Sequence, residues 1–307
     1  MRSLLRHLLV GDNAFIGVSH LSQSQAREKI EQFSVEDVAR VLNKAAFCGA
    51  TGFTFTVHPT NFSILGGALA DASVAKFELW PILPYAAGYV RLANEKGIIG
   101  LVNEITSHLS SLGKVKALTE GGISALTMDP MHILNSYVNL ELSRMRELTS
   151  LNIKAVLLHE VITDLGVAFQ SRALFDSYIH NLREKYDIVP GFVTRNLVKF
   201  TEFFQQTGLS LDGLAIMTPF NRIGFQMNPS KLSCETCLSK LEGSIVIAMS
   251  VLAGGYVPLR EAISYVQTLA NLSGVAIGVS SVDHAEKTFT ALRNAQVADS
   301  AAMRPKT

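Results

Sequence analysis

The stretch IVPGFVTRNLVKFTEFFQQTGLSLDGLAIMTPFN, residues 188–221, decides the predicted fold. A strand-like run at 188–196 leads into an amphipathic stretch at 197–207, and a second strand-like run follows at 211–221. Strands that are apolar on both faces and separated by a helix pair in parallel, because helices then cover both faces of the sheet. The stretch therefore predicts one β-α-β unit of a parallel sheet.

The same alternation runs along the whole chain of 307 residues, and no Pro-, Gly- or Ser-rich linker divides it. The strand-like runs are FIGVSHL (15–21), GFTFTVH (52–58), ELWPILPYA (78–86), ISALTMDP (123–130), IKAVLLHEV (153–161), IVPGFVTRN (188–196), LDGLAIMTPFN (211–221), IVIAMSVLAGG (245–255) and VAIGVSSV (275–282). Eight or nine such units predict a single (β/α)8 TIM barrel over residues 1–307, in which the surplus strand is an N-terminal addition or not a strand. A doubly wound sheet is the alternative, but its glycine-rich first turn is missing from GVSHLSQS.

The first predicted helix has clear signals at both ends. SVEDVARVLNKAAFC, residues 34–48, places its apolar residues on one face. Ser34 and Asp37 have the spacing of a capping box, and Gly49 follows the last turn as a stop signal. The sequence therefore predicts a helix that begins after Ser34 and ends before Gly49.

The composition limits the classes of partner. Apolar residues make up 48% of the chain and charged residues 17%, with a formal net charge of +1. This balance gives no electrostatic reason to expect nucleic acid or an anionic membrane as the main partner. The longest uncharged apolar run, near 243–259, is interrupted by glycines and Pro258, so we do not predict a membrane span. A small-molecule substrate is the expected partner.

The N-terminus and the cysteines indicate the compartment. MRSLLRHLLVGDN has no small-residue cleavage site after its short apolar patch, and three cysteines do not make a disulfide framework. We therefore expect a cytoplasmic protein. Cys234 and Cys237 lie one helical turn apart, which is compatible with a redox pair or with ordinary helix packing.

Polar side chains gather at the predicted carboxyl ends of the strands, where the active site of a barrel lies. They are Ser19 and His20; His58, Thr60 and Asn61; Tyr85; Asp129 and His132; His159 and Glu160; Thr194, Arg195 and Asn196; Thr218 and Asn221; Ser250; and Ser280. Four of the eight histidines are in this set, which favours a ligand-binding role for the set as a whole.

Two chemistries fit these residues. The first is a metal site, because histidine and carboxylate ligands suit zinc, iron or manganese, and its candidate ligands are His58, Asp129, His159 and Glu160. The second is carbonyl chemistry, in which His159 donates to a substrate oxygen or shuttles a proton while Tyr85 or His58 lies nearby. Adjacent strand residues point to opposite faces, so we expect His159, rather than Glu160, to point inward.

Two further segments have features of a phosphate site. Gly254 and Gly255 allow a ligand to approach the backbone closely. Ser280 and Ser281 stand at the start of a predicted helix, where N–H groups and the helix dipole favour an anion. A simpler interpretation is that Ser281 caps its helix and the glycines turn the chain, and both can be true together.

Five segments resemble the aldo-keto reductase superfamily. They are SVEDVARVLNKAAFCGATGFTFT (34–56), AVLLHEVITD (155–164), IVPGFVTRNLVKFTEFFQQTGL (188–209), IAMSVLAGG (247–255) and VAIGVSSVDHAEKTFTAL (275–292). In that family the corresponding segments are the first helix and second strand, the fourth strand with the active-site histidine, the fifth-strand region, the segment near the seventh strand, and the eighth strand with its helix. The resemblance covers about two thirds of the chain and implies a (β/α)8 barrel.

The resemblance also implies roles for individual residues. His159 matches the active-site histidine, and Thr194 and Asn196 lie near the pair that holds the nicotinamide amide. Ser250, Gly254, Gly255, Ser280 and Ser281 lie in the segments that hold the rest of a bound NADP or NAD.

The catalytic tyrosine and lysine of the family are not at matching positions, where the sequence reads FTFTVHPTNF and ILPYAAG. Three functions therefore remain open. The first is a reductase of a small carbonyl compound, alcohol or phosphorylated metabolite; the second is a lyase, isomerase or hydrolase with or without a metal. The third is a barrel that binds a ligand without catalysis.

Overall fold

A computed structural model describes residues 5–15, 34–57, 59–68, 74–83, 130–148 and 152–302. Eight parallel strands close into a barrel in sequence order, which confirms the predicted (β/α)8 fold. The strands are β1 (His7–Gly11), β2 (Gly52–Thr56), β3 (Glu78–Leu83), β4 (Ala155–Leu158), β5 (Val189–Val193), β6 (Ala215–Pro219), β7 (Ile245–Met249) and β8 (Leu272–Gly278). The register between β1 and β8, in which Leu9 pairs with Ala276, closes the ring.

Nine α-helices occur in the described part of the chain. They are α1 (Val35–Cys48), α2 (Pro59–Ala68), α3 (Pro130–Leu148), α4 (Glu160–Ala168), α5 (Arg172–Tyr186), α6 (Leu197–Thr207), α7 (Lys231–Ser239), α8 (Leu259–Val266) and α9 (Val282–Ala302). Two short 3-10 helices, Val74–Lys76 and Ala253–Gly255, lie before β3 and after β7. No helix in these ranges is long and apolar enough to cross a membrane.

The first strand was predicted at the wrong place. It is β1, with the sequence HLLVG, whereas Phe15 lies in a turn and residues 16–21 lie outside the described residues. The apolar centre of HLLVG is only three residues long and follows two basic residues, so its pattern was too short to recognise. The segment is a strand because its side chains are buried on both faces of the barrel wall: Leu9 and Val10 are fully buried.

The predicted strand at 123–130 is not tested by the described residues. Residues 123–129 lie outside the described ranges, and Pro130 begins α3. The barrel passes directly from β3 to β4, where Ile82 pairs with Leu157. Eight strands are therefore enough to close the ring.

The core has two layers, and these explain why the strands are apolar on both faces. Alternate residues fill the barrel interior, as Trp80 and Leu157 do. The residues between them, such as Val156 and Leu158, belong to the larger cluster between the strands and the helices. A strand buried on both sides reads as a continuous apolar run.

The ends of α1 follow the prediction. The backbone N–H of Asp37 donates to Ser34 Oγ at 3.1 Å, and the Asp37 carboxylate accepts from the Ser34 backbone in return. Gly49 ends the helix with a φ of 112°, which is in the left-handed region. The capping box and the glycine stop are thus confirmed. Such a cap contributes about 1 kcal/mol.

Candidate active site

His159 stands where β4 ends and α4 begins. The inward positions of β4 are Ala155 and Leu157, and His159 follows the last strand residue as the N-cap of α4. Its Nδ1 accepts a hydrogen bond from the backbone N–H of Val161 at 3.2 Å. An N–H donor requires an unprotonated Nδ1, so the neutral ring carries its proton on Nε2. The side chain is therefore fixed as a donor through Nε2.

The surroundings of His159 keep it neutral. Burial lowers the pKa of His159; the negative charge of Glu160 opposes this effect, and the positive charge of Arg195 adds to it. A neutral imidazole with Nε2–H can donate a hydrogen bond to a substrate oxygen at neutral pH.

Glu160 has a different task from its neighbour. Its Oε1 accepts two hydrogen bonds from Arg195, one from Nε at 2.9 Å and one from Nη2 at 2.7 Å. Both side chains are partly buried, so this ion pair is better shielded than a surface pair. The pair ties the start of α4 to the end of β5, and the carboxylate is occupied by it.

A second network joins α4 to β5 through Asp164. The buried Thr194 hydroxyl donates to Asp164 Oδ1 at 2.6 Å, and the Arg195 backbone N–H donates to Oδ2 at 3.2 Å. The Thr194 oxygen in turn accepts from the backbone N–H of Asn196 at 3.0 Å. The Thr194 hydroxyl therefore already donates its proton to a hydrogen bond within the protein.

Asn196 is the N-cap of α6. Its Oδ1 accepts from the backbone N–H of Lys199 at 3.1 Å. The residue also lines a groove of about 500 Å³ between α4 and α6, together with Asp164 and Gln170. The side-chain oxygen is used by the helix, whereas the amide nitrogen remains a potential donor at this groove.

The turn after β7 has an unusual backbone. Ser250, Ala253, Gly254 and Gly255 all have positive φ values, of 54°, 48°, 72° and 97°. The Ser250 hydroxyl donates to Gln226 Oε1 at 3.4 Å. A Cβ placed on Gly255 would meet no atom within 4 Å, so the backbone here is open to a ligand. The predicted close approach at the glycines is thus sterically possible.

Ser281 caps α9 at the carboxyl end of β8. Its Oγ accepts from the backbone N–H of His284 at 3.1 Å, and Ser281 is exposed while Ser280 is partly buried. The capping interpretation of Ser281 is therefore correct. A side-chain cap satisfies only some of the four free N–H groups of a first helical turn, so the others can still bind an anion.

Asp12 is a candidate that sequence reasoning missed. It follows β1 and is only 5% exposed. Its Oδ2 accepts from the Thr56 backbone N–H and from Asn61 Nδ2, both at 2.8 Å. Burial outweighs these hydrogen bonds and raises the pKa of Asp12 to about 6. The signal in the sequence was an apolar run that ends in Gly-Asp, but the run was too short to be recognised as a strand.

Comparison with known proteins identifies the fold. No protein-family model matches the chain, and no curated protein matches it either. Two solved structures match across nearly all of it. A Pseudomonas aeruginosa protein assigned as an aldo-keto reductase is 13% identical, with a TM-score of 0.56 over 94% of this chain and 89% of that one. The aldo-keto reductase of Bacillus halodurans in its holo form is 12% identical, with a TM-score of 0.51 over 95% and 91%.

The chain has the same (β/α)8 barrel fold as these two aldo-keto reductase structures. At identities of 12–13% the similarity shows the fold and not the reaction. His159 stands at the end of β4 in this barrel, as the resemblance in the sequence implied. His58, Tyr85 and Asp129 lie outside the described residues, as does the side chain of His132.

The two ends of a nicotinamide cofactor fit this aldo-keto-reductase-like barrel unequally. The start of α9 fits the diphosphate, because the N–H groups of a first helical turn favour an anion. The turn at Gly255 offers space rather than a donor, since the Gly255 N–H already donates to the Leu252 carbonyl oxygen at 2.8 Å. At the nicotinamide end, the Thr194 hydroxyl is buried and the Asn196 oxygen caps α6. Of the Thr194 and Asn196 side-chain groups that would bind the nicotinamide amide, only the amide nitrogen of Asn196 is available as a donor.

The metal alternative has little support in the described part of the barrel. No group of three or more histidine, cysteine, aspartate or glutamate side chains there could hold a metal ion. Of the four predicted ligands only His159 and Glu160 are described, and Glu160 is held by Arg195.

The two cysteines of CETC pack within the barrel's helical layer. Cys234 is 2% exposed, and its thiol donates to the Asn228 carbonyl oxygen at 3.2 Å. Burial raises the pKa of Cys234 to about 11, and a redox pair needs a thiolate near neutral pH. The geometry favours helix packing over a redox role.

Proposed function

We propose that this aldo-keto-reductase-like barrel is an enzyme that reduces a small carbonyl compound, with NADPH or NADH as hydride donor. The observation that carries the proposal is the fixed Nε2–H of a neutral His159 at the end of β4. Hydride addition builds negative charge on the carbonyl oxygen, and a positioned neutral donor stabilises that charge. Removing one such donor typically lowers kcat by a factor of about 100 to 1000.

The reduction also needs a proton for the oxygen. The carbon receives the hydride and the oxygen receives the proton, which gives the alcohol. The neutral His159 donates a hydrogen bond to this oxygen through Nε2–H but does not supply the proton, because its Nδ1 accepts the Val161 N–H and the ring carries no second proton. Tyr85 and His58 are proposed to supply the proton, because β2 and β3, which precede them, end at the same face of the barrel.

The proposed cofactor is held mainly by its phosphates. Ser250, Gly254 and Gly255 form the open turn after β7, and Ser280 and Ser281 lead into α9. The same two segments would also suit the phosphate group of a substrate. For this reason the proposed substrate class includes phosphorylated metabolites. The Asn196 amide nitrogen is proposed to bind the nicotinamide amide, with Thr194 fixing its backbone.

A second candidate function is an isomerase or lyase that transfers protons without a hydride. Asp12 favours it, because a buried carboxyl with a pKa of about 6 at the carboxyl end of β1 can act as a general acid or base near neutral pH. Such an enzyme would bind no nicotinamide cofactor. Saturable cofactor binding therefore separates the two candidates.

The reductase proposal is tested by NADPH and NADH oxidation with a panel of small aldehydes and ketones, including phosphorylated ones. We expect turnover by the native chain and a loss of about 100-fold or more in kcat for His159→Asn and for His159→Ala. Asparagine keeps an oxygen that can cap α4, whereas alanine does not. Only His159→Ala should therefore lose about 1 kcal/mol of unfolding free energy.

This pair of variants separates a chemical role from a structural one. Equal turnover by His159→Asn and the native chain would show that the side chain is a helix cap and no more. Loss of turnover in His159→Ala alone would lead to the same conclusion, since only the cap differs between the variants.

A further inference from the structure

A cleft of about 630 Å³ lies at the amino-terminal end of the barrel, opposite to the strand ends described above. Arg6, Thr51 and Phe77 line it, and each immediately precedes a strand, namely β1, β2 and β3. Asn152 lies at the same end, in the segment that leads into β4. Its carbonyl oxygen accepts a hydrogen bond from the backbone N–H of Leu79 in β3 at 2.8 Å. Since all strands are parallel, these residues share one end of the barrel.

The cleft has an excess of positive charge. Arg6 and Lys76 line it, both are exposed, and neither forms an ion pair with a described residue. Glu78 is the acidic residue of the lining, but its Oε2 lies 2.7 Å from His7 Nδ1, and the charge of Lys154 also acts on it. The negative charge of Glu78 therefore already has partners within the protein. The positive charges of Arg6 and Lys76 have no acidic partner among the described residues.

The cleft also has apolar lining residues. Phe47 is 78% exposed, which is unusual for so large an apolar side chain, and Ala46 and Ala50 lie beside it in the lining. Arg293 Nη1 donates to the Phe47 carbonyl oxygen at 3.5 Å, which holds its backbone in place. Covering this ring would contribute about 25 cal/mol for each Å² removed from water.

From these charged and apolar lining residues we propose that the cleft binds an organic anion. Its acidic group, a phosphate or carboxylate, pairs with Arg6 and Lys76, and its aromatic or other apolar part packs on Phe47. Guanidinium and ammonium groups bind phosphate by charge-assisted hydrogen bonds, and Arg6 offers a planar fork of donors. The site is separate from the carboxyl ends of the strands, and the inference does not depend on the reductase proposal.

The test is isothermal titration calorimetry of the full chain with phenyl phosphate and, separately, with inorganic phosphate. We expect saturable binding of phenyl phosphate at one site and at least 10-fold weaker binding by the Arg6→Ala/Lys76→Ala double variant. Phe47→Ser should weaken phenyl phosphate several-fold and leave inorganic phosphate unchanged. Arg172→Ala removes an exposed arginine at the start of α5 and should change neither titration.

Folding and site identity are controlled in the same samples. Lys76→Ala alters only an exposed side chain, so it is used alone if the double variant lowers the unfolding temperature. Equal affinity in the Lys76→Ala and native chains, or no saturable binding of phenyl phosphate, would each overturn the inference.

Discussion

At the scale of single residues, the end of β4 shows how two adjacent titratable groups are used differently. The His159 ring is held by a backbone N–H at the start of α4, whereas Glu160 binds Arg195. The sequence predicts from strand alternation that His159 points inward, and this direction stays a prediction. The sequence could not reveal the partner of Glu160, because Arg195 is 35 residues away and meets it only in the closed barrel.

Asp12 should make stability depend on pH. Its pKa in the folded chain is raised from 3.8 to about 6, so the folded state binds this proton more tightly than the unfolded state does. The favourable contribution is complete below about pH 4 and is lost as the pH rises through about 6. The difference corresponds to about 3 kcal/mol at most. Urea unfolding at several pH values between about 4 and 7.5 measures it.

The matched variant for this measurement is Asp12→Asn, which has the same shape and cannot ionise. The unfolding free energy of the native chain should fall relative to that of Asp12→Asn as the pH rises, and the difference should become constant above about pH 7. A difference that does not change with pH would show that Asp12 titrates in the folded chain as it does in the unfolded one.

At the scale of elements, the turns after the strands use their polar residues to start helices. His159 caps α4, Asn196 caps α6 and Ser281 caps α9. Capping and ligand binding both favour short polar side chains at the end of a strand. For this reason the sequence predicted where polar groups gather, but it could not separate caps from ligand contacts. The contact of Thr194 with Asp164 could not be predicted from the sequence either, because these residues, like Glu160 and Arg195, are far apart in the chain.

The closeness of β2 and β3 requires a glycine at position 52. A Cβ on Gly52 would clash with the backbone carbonyl oxygen of Glu78, which belongs to the neighbouring strand and cannot rotate away. We expect Gly52→Ala to lower the unfolding free energy by about 1–3 kcal/mol, as overpacking does. The comparison is Gly66→Ala in α2, where a methyl group would meet no atom within 4 Å.

The Gly66→Ala variant should be more stable by about 0.5–1 kcal/mol, because alanine loses less conformational entropy in a helix. Opposite signs for the two glycines in the same denaturant series are the predicted result. If Gly52→Ala were as stable as the native chain, β2 and β3 would be farther apart than the register of Gly52 with Glu78 requires.

At the scale of the whole molecule, the barrel could be predicted because its signals are repeated. Each unit brings an apolar strand and an amphipathic helix, so an error at β1 left the fold class unchanged. A reaction, by contrast, depends on a few side chains that occur once each. The predicted site residues Tyr85, His58 and Asp129 lie outside the described residues, and Asp12 was missed because the first strand was misplaced.

Binding of a nicotinamide cofactor at the carboxyl ends of the strands is the proposal on which the reductase function depends. It is tested most directly by titrating the purified chain with NADPH and NADH and following nicotinamide fluorescence. We predict saturable binding of at least one of them and weaker binding by Gly255→Val, because a branched side chain would cover the open turn after β7. No saturable change with either cofactor would contradict it and would favour proton-transfer chemistry at Asp12.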